Sequence, residues 1–329
     1  MVVPMRRLYF LLICLALMQA SPALGKARSI NSTAVENATL DEARKREPNP
    51  ALVKAQILLD RLRFSPGAID GRRGDNTRLA LQTFQQANHL KATGDLDQQS
   101  WDALTGTDSE PLLQDYEITK DDVAGPFVKV PEQMEEQAKL KKLAYSSPLE
   151  LLSEKFHVDE ELLKALNEGK DFEQAGTRIT VPKVRAGKLG KVERIEVDKE
   201  QKAVRAYDKD GQLLAHYPAT VGSEARPAPS GSFEVTKVAR NPLYTYDPKN
   251  QFKGVVADQP FDIAPGPNNP VGTVWIEINK DGYGLHGTPE PSQIGKTASH
   301  GCVRLTNWDA EDLASGVTKG DPVEFNETS

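Results

Sequence analysis

The residue types best suited to covalent chemistry fall close together late in the chain: His286-Gly287-Thr288-Pro289, then Ile294-Gly295-Lys296, then Ser299-His300-Gly301-Cys302-Val303-Arg304-Leu305. One thiol and two imidazoles lie within 17 residues. An ordinary cysteine, with a pKa of about 8.5, is mostly thiol at neutral pH, so a nucleophilic role needs a neighbouring base or cation. A hairpin or strand-loop-strand can bring His286 back onto Cys302, where the imidazole would take the thiol proton and later return it to a leaving amine. Gly301 would let backbone N–H groups face an oxyanion, and such donors contribute about 10²–10³ in rate. Arg304 adds a planar two-pronged donor suited to a substrate carboxylate. Other readings stay open. Cys302 could be a small core residue, and His286, His300 and Cys302 could hold zinc, although no fourth ligand or paired-cysteine spacing is evident. His300 could serve its loop structurally through a hydrogen bond. His89, His157 and His216 lie elsewhere and read as surface or packing residues. Tyr244, Tyr246, Trp275 and Tyr283 could line a groove or fill a core, and the Pro-rich run 264–270 could be a lid or a rigid connector.

The elements that would position this cluster read as strands. Alternation over 192–197, 203–207 and 213–217, with an Asp210-Gly211 turn, predicts a meander, and further strands are expected at 232–239 and 274–278. Half of the chain's 22 prolines lie between Pro218 and Pro291, so stiff irregular loops join these strands and could build a site. A helix should begin at Asn307 as its cap and run to about 314. Upstream the pattern is helical. Asn49-Pro50 reads as a cap with proline at the first helical position, and further helices are expected at 76–88 and 98–104. Residues 107–142 are acidic and loop-like, with an amphipathic piece at 134–143. Ser147-Pro148-Leu149-Glu150 reads as a capping box, Val158-Asp159 starts another helix, and 178–182 reads as a short strand.

Composition narrows the class. The chain has 329 residues, which suits two or three domains, and its 41 Lys+Arg against 47 Asp+Glu make it a poor nucleic-acid binder. Residues 1–25 carry Arg6-Arg7, an apolar run and small residues before Lys26, the pattern of a secretory leader, with an uncleaved anchor as the alternative. Cleavage would remove Cys14 and leave Cys302 as the one cysteine, in a compartment where cysteines usually pair. Cys302 therefore reads as a working thiol. Residues 26–48 are polar, without apolar period, and read as a linker.

Three resemblances follow from these residues. The order helix, Ile69-Asp70-Gly71, helix with Leu81 and Phe84-Gln85, Gly94-Asp95-Leu96-Asp97, Trp101 resembles the peptidoglycan-binding three-helix module over 49–106, with a generic bundle using Trp101 as core as the alternative. Helix, turn, helix and strand over 143–184 resembles the sugar-binding LysM module, with Ser146-Ser147-Pro148 in place of the usual Gly-Asp-Thr; a packing spacer is the alternative. His286-Gly287-Thr288 followed by Ser299-His300-Gly301-Cys302-Val303-Arg304 resembles the L,D-transpeptidase (YkuD-type) catalytic domain over 190–326. The implied fold class is multidomain α+β: a small three-helix bundle, a LysM-like helix-helix-strand segment and a mainly-β, β-sandwich-like catalytic domain. The implied roles are Cys302 as nucleophile and His286 as proton acceptor and donor. Gly301 and Cys302 N–H groups would form the oxyanion hole, with His300, Ser299, Arg304, Gly287 and Thr288 positioning substrate and base. The implied reaction acylates Cys302 with a peptidoglycan tetrapeptide, expels D-alanine and transfers the thioester to an amine, giving a 3→3 cross-link. Hydrolysis, D-amino-acid exchange or attachment and release of a wall protein are the alternatives, and a non-catalytic wall scaffold is a third. No cofactor or metal is expected. The expected partners are stem peptides and glycan strands, with a wall-attached protein as a further acceptor, and neither nucleic acid nor lasting membrane insertion. The expected location is the periplasm of a bacterial envelope.

Overall fold

The structure, a computed structural model, describes residues 30–44, 47–107, 109–223, 227–250, 255–297 and 301–326. The expected leader, with Ser299 and His300 of the motif, lies outside the described residues. The first half comprises helices α1 (Ser32–Glu36), α2 (Pro50–Arg61), α3 (Asp75–Ala87) and α4 (Gln98–Gly106), strand β1 (Leu113–Glu117), helices α5 (Lys120–Val123), α6 (Met134–Gln137), α7 (Pro148–Lys155) and α8 (Glu160–Leu166), and strand β2 (Arg178–Pro182). The start signals act as the residue types require. The Asn49 side chain accepts from the Leu52 N–H at 3.0 Å with Pro50 opening α2, and Asp97 accepts from the Ser100 N–H at 2.8 Å at the head of α4. Ser147 caps α7 by accepting from the Glu150 N–H, but the reciprocal half of the box falls one residue early, with the Glu150 carboxylate accepting from the Ser146 N–H at 2.6 Å.

Two stretches expected to be linkers carry structure. Within 26–48, α1 and a 3₁₀ turn (Leu40–Arg44) bury Val35, Ala38 and Ala43, the last two against Ala51, Leu52 and Trp101. Their apolar residues are too few and too small to show a period, and a surface already present orders them. Within 107–142, β1 pairs antiparallel with β2 from Leu113↔Pro182 to Glu117↔Arg178. Its outward face is acidic, which hid the strand from a pattern search. The helical unit and the unit built on β1 and β2 share one core, in which Ile57, Ile69, Phe84 and Leu104 join Leu152, Leu163, Ile179 and Val181.

The second half comprises β3 (Arg194–Asp198), β4 (Ala203–Tyr207), β5 (Leu213–Pro218), β6 (Thr220–Val221), β7 (Gly231–Arg240), β8 (Tyr244–Tyr246), β9 (Phe261–Ile263), β10 (Val274–Ile278), β11 (Gly284–His286), β12 (Val303–Arg304), α9 (Asn307–Gly316) and β13 (Pro322–Asn326). Nine strands hydrogen-bond in the order β5-β4-β3-β13-β7-β10-β11-β12-β6. The ten-residue β7 pairs its first half with β13 and its second with β10, so one bent strand carries the chain between two sheets, as in sandwiches whose corners are single strands. Ile195, Val197, Ile276, Leu285, Val303 and Val323 fill the space between. The cap of α9 is Thr306, whose hydroxyl accepts from the Asp309 N–H at 3.1 Å, and not Asn307, whose amide is buried and committed elsewhere.

The two halves meet at a buried ion cluster. After α2 the chain adds an edge to the catalytic sheet, with the Ser65 N–H donating to the His216 carbonyl and the His216 N–H to that of Arg63. Beside it, Arg185 reaches Asp60, Asp309 (2.6 Å) and Asp312 (3.4 Å), with its side chain 4% exposed and those of Asp60 and Asp309 fully buried. His157 adds a contact to Asp60 at 3.0 Å, and its ring stacks on Trp308. Burial opposes the charges of Asp60 and Arg185, yet Arg185 and His157 hold the Asp60 carboxyl well below the usual range, and the three aspartates hold the Arg185 guanidinium above its own, while burial pushes the Asp309 carboxyl up against the pull of Arg185. Removing one partner from such a cluster strands buried charge. Arg185→Ala should therefore lower the unfolding free energy by about 3–5 kcal/mol, measured by urea denaturation; a loss under about 1 kcal/mol would mean the aspartates are solvated.

Candidate active site

The site is built on the pairing of β11 with β12. The two run parallel, with Leu285 opposite Val303 and His286 opposite Arg304, and the Leu305 N–H donates to the His286 carbonyl at 2.8 Å. Leu285 and Val303 are fully buried in the core. Alternation along the strands then turns His286 and Arg304 to the other face, and Cys302 immediately precedes β12. Trp275, opposite His286 on β10, stacks on its ring with centroids 5.5 Å apart.

The imidazole has one tautomer. His286 Nδ1 lies 2.7 Å from the Gly287 carbonyl oxygen, which can only accept, so Nδ1 carries the proton and Nε2 is the acceptor. Burial, then the nearby Arg304 charge, pushes the ring's pKa down to about 3 against the pull of that hydrogen bond. The Cys302 thiol moves the other way. Burial pushes it up, opposed by the Gly284 N–H and by Arg304, and Sγ lies 3.5 Å from the Gly282 carbonyl. Both groups are thus neutral at rest, and the thiol proton must move in the reaction itself. Alkylation of Cys302 by iodoacetamide should accordingly rise with pH through a midpoint above that of ordinary cysteine, with no inflection near pH 6.5. A midpoint below the ordinary value, read from intact mass against time, would indicate a resting ion pair.

Glycine is required beside the thiol. Gly301 has φ +107°, and a Cβ there would lie 2.9 Å from the Tyr283 ring. Gly287 is held from behind: a Cβ on it would meet Asn307 Oδ1 at 2.2 Å, and that oxygen accepts from the Thr273 N–H at 3.2 Å. The Asn307 amide nitrogen in turn donates to the Glu154 carboxylate at 3.0 Å and to the Pro267 carbonyl at 3.2 Å. Burial, with Glu150 and Glu311 nearby, raises Glu154 to about 8 against the pull of Asn307, so its carboxyl is largely neutral near pH 7. The segment that orients His286 is therefore braced by a side chain of α7, from the other half of the chain. Sequence reading used Asn307 only as a cap and passed over Glu154, because the contact spans 153 residues.

The remaining candidates divide. Thr288 is buried and its hydroxyl accepts from the Glu290 N–H, shaping the turn after β11. Tyr244 is half-buried beside the site, and burial, then the Cys302 charge, pushes its pKa up to about 12. Tyr246 fills core, Tyr283 packs under Gly301, and the 264–270 run is a packed connector whose Pro265 carbonyl accepts from the Leu143 N–H. His216 is buried, His157 belongs to the ion cluster, and His89 is exposed. Among the described residues no group of three or more His, Cys, Asp or Glu could hold a metal ion, and no helix is long and apolar enough to cross a membrane.

Comparison with known proteins recognises two regions of the chain. Residues 192–325 match the family described as "L,D-transpeptidase catalytic domain", and residues 48–104 match "Putative peptidoglycan binding domain". The chain is 30% identical over 179 residues to a Bacillus licheniformis protein named "Putative L,D-transpeptidase YkuD", an alignment covering 54% of this chain and 92% of that one. It is 26% identical over 185 residues to the Escherichia coli K12 protein named "Probable L,D-transpeptidase YbiS", covering 55% of this chain and 60% of that one. Among solved structures it is similar to L,D-transpeptidase 3 from Mycobacterium tuberculosis, with 18% identity, a TM-score of 0.35, and coverage of 48% of this chain and 77% of that one. The chain belongs to the L,D-transpeptidase family and is a transpeptidase enzyme, with the family's catalytic domain over residues 192–325.

Proposed function

We propose that this protein is an exported cysteine L,D-transpeptidase that forms 3→3 cross-links in peptidoglycan. The observation that supports the reading is the parallel pairing of His286 with Arg304, which brings the His286 strand alongside the strand that Cys302 directly precedes. In the proposed reaction the thiol proton passes to His286 Nε2 as Sγ bonds to the carbonyl carbon of the L-centre of diaminopimelate in a tetrapeptide. The oxyanion is met by the Gly301 and Cys302 N–H groups. It collapses with cleavage of the C–N bond to the terminal D-alanine, whose amine takes the proton from His286. An acceptor amine then attacks the thioester: a C–N bond forms, the C–S bond breaks, and a proton returns to the thiolate through His286. Arg304 holds a donor carboxylate, and Ser299, His300, Gly287 and Thr288 shape the site.

The envelope location follows from the substrate, and the basic-then-apolar start of the chain supports a periplasmic one. The helical unit would hold the wall, raising the local concentration of stem peptides at Cys302. Residues 143–184, with α7, α8 and β2, are read as LysM-like, in contact with glycan strands. The test is product analysis by mass spectrometry after incubation with a disaccharide-tetrapeptide carrying diaminopimelate. A dimer short of one D-alanine, absent with Cys302→Ala, is expected; tripeptide alone would make the enzyme a hydrolase, and a changed fourth residue an exchanger.

A further inference from the structure

Behind His286 runs a chain of buried polar contacts that begins outside the catalytic domain. Glu154, in the last turn of α7, is 6% exposed, and Asn307, at the start of α9, is 2% exposed. The Asn307 amide fits only one way round. Its Nδ2 donates to the Glu154 carboxyl oxygens, at 3.0 and 3.3 Å, and to the Pro267 carbonyl at 3.2 Å, while its Oδ1 accepts from the Thr273 N–H at 3.2 Å. Held in this way, Oδ1 fills the space that a side chain would take on two glycines: a Cβ at Gly287 would lie 2.2 Å from it, and one at Gly272 would lie 2.1 Å from it. Gly287 is therefore seated on Asn307. Its N–H donates to the Val274 carbonyl at 3.2 Å, and its own carbonyl takes the Nδ1 proton of His286 at 2.7 Å. The residue whose carbonyl decides which imidazole nitrogen is free is thus set in place by an amide that Glu154 orients.

Glu154 is a poor choice for packing alone. The ionisable groups that face it are Glu150 from its own helix, Glu311 from α9 and Tyr145 from the segment before α7, whose hydroxyl lies 3.4 Å away, and none of these is a cation. A carboxyl buried beside other acids opposes folding, and an apolar side chain of the same volume would cost less there. What the carboxyl provides is an acceptor for Asn307. Without it the Asn307 nitrogen keeps only the Pro267 carbonyl, and the amide is free to turn its oxygen away from Gly287. We propose that Glu154 is a positioning residue for the transpeptidase reaction: acting through Asn307 and Gly287, it keeps the His286 ring in the orientation and tautomer that leave Nε2 open to the thiol proton. This rests on the reading in which His286 serves Cys302 as proton acceptor. It also means that the catalytic domain does not orient its base alone, because part of the support comes from the unit read as LysM-like.

The test compares the full chain with Glu154→Met and Glu154→Gln. Methionine fills the same volume but offers no oxygen. Glutamine keeps an acceptor for Asn307, and because burial holds Glu154 largely neutral near pH 7 it also keeps the charge. Glu154→Met should melt within a few degrees of the unaltered enzyme yet lower kcat for D-alanine release by about 10–100-fold, the range that a misplaced catalytic group costs, with KM for the disaccharide-tetrapeptide changed less than about twofold. Glu154→Gln should restore most of kcat. The ring itself is read in protein labelled with ¹⁵N-histidine, in which His286 is assigned by its loss in His286→Ala. The unaltered enzyme and Glu154→Gln should show Nδ1 protonated and Nε2 bare, and Glu154→Met a mixture of tautomers. The proposal is overturned if Glu154→Met keeps kcat within about threefold, if it loses kcat only by unfolding, if the His286 signals are the same in all three proteins, or if Glu154→Gln is as slow as Glu154→Met. The histidine signals need no substrate, so the two readings fail separately. Tautomers that shift in Glu154→Met, beside an unaltered enzyme that releases no D-alanine, remove the reaction alone; unmoved tautomers beside normal release remove the role of Glu154 alone.

Discussion

Cys302→Ser should lower the rate of D-alanine release from tetrapeptide by about 10³-fold or more. The reason lies in the partner as much as in the nucleophile. His286 is buried next to Arg304, and its pKa of about 3 makes it a weak base. Such a base can receive the proton of a thiol as sulfur attacks, because a thiol, even one raised by burial, remains far more acidic than an alcohol. It cannot usefully take the proton of a serine hydroxyl, whose usual partner is an imidazole poised near neutral pH. The substitution is nearly isosteric at a partly exposed position, so the fold should persist. Release of D-alanine at more than about a tenth of the original rate would mean that Cys302 is not the nucleophile.

His286→Ala should slow acylation by about 10²–10⁴-fold, the range for loss of a positioned general base, while leaving alkylation of Cys302 by iodoacetamide largely intact. Alkylation needs only the thiolate that solution pH supplies; acylation needs a proton delivered to a leaving amine. The split between the two rates separates a catalytic loss from a collapsed site. His286 is buried in the sheet with Trp275 stacked on it, so a melting curve should accompany the rates. If acylation and alkylation fall together, His286 is structural; if neither changes, the base lies elsewhere, and His300 is next in the motif.

Much of the second half was legible in advance because its signals are local. The strand over residues 274–278 alternates buried Val274, Ile276 and Ile278 with outward Trp275 and Glu277, a period readable directly from residue types. Proline after Asn49 and after Ser147 marked two helix starts for the same reason. What was not legible depends on distant partners. β1 presents one fully buried apolar side chain and an acidic outer face, so nothing in its own residues distinguishes it from a loop until β2 is alongside. Val35 and Ala43 become buried only because α2 and α4 already offer a surface. The Arg185 cluster draws on residues 60, 157, 185, 309 and 312, and no spacing rule links them. The site divides the same way. Cys302 and His286 are legible as chemistry, since few other uses suit a thiol amid glycines and imidazoles, but the Asn307 and Glu154 brace exists only across the interface.

That interface changes what the upstream units can mean. A tethered wall-binding unit could be cut away without touching the chemistry. Here the helical unit shares its core with the β1–β2 unit, and Arg63 and Asp60 reach the ion cluster on α9. Deletion of 51–106 would therefore disturb the fold as well as wall binding, and single surface substitutions are the better probe of binding.

The measurement that most directly tests the central claim is the intact mass of the enzyme after mixing with a disaccharide-tetrapeptide carrying diaminopimelate, beside Cys302→Ala. A mass increase equal to the disaccharide-tetrapeptide less D-alanine is expected, located on Cys302 and absent in the variant. Consumption of the tetrapeptide by Cys302→Ala at the unaltered enzyme's rate, or an adduct that persists in that variant, would contradict it.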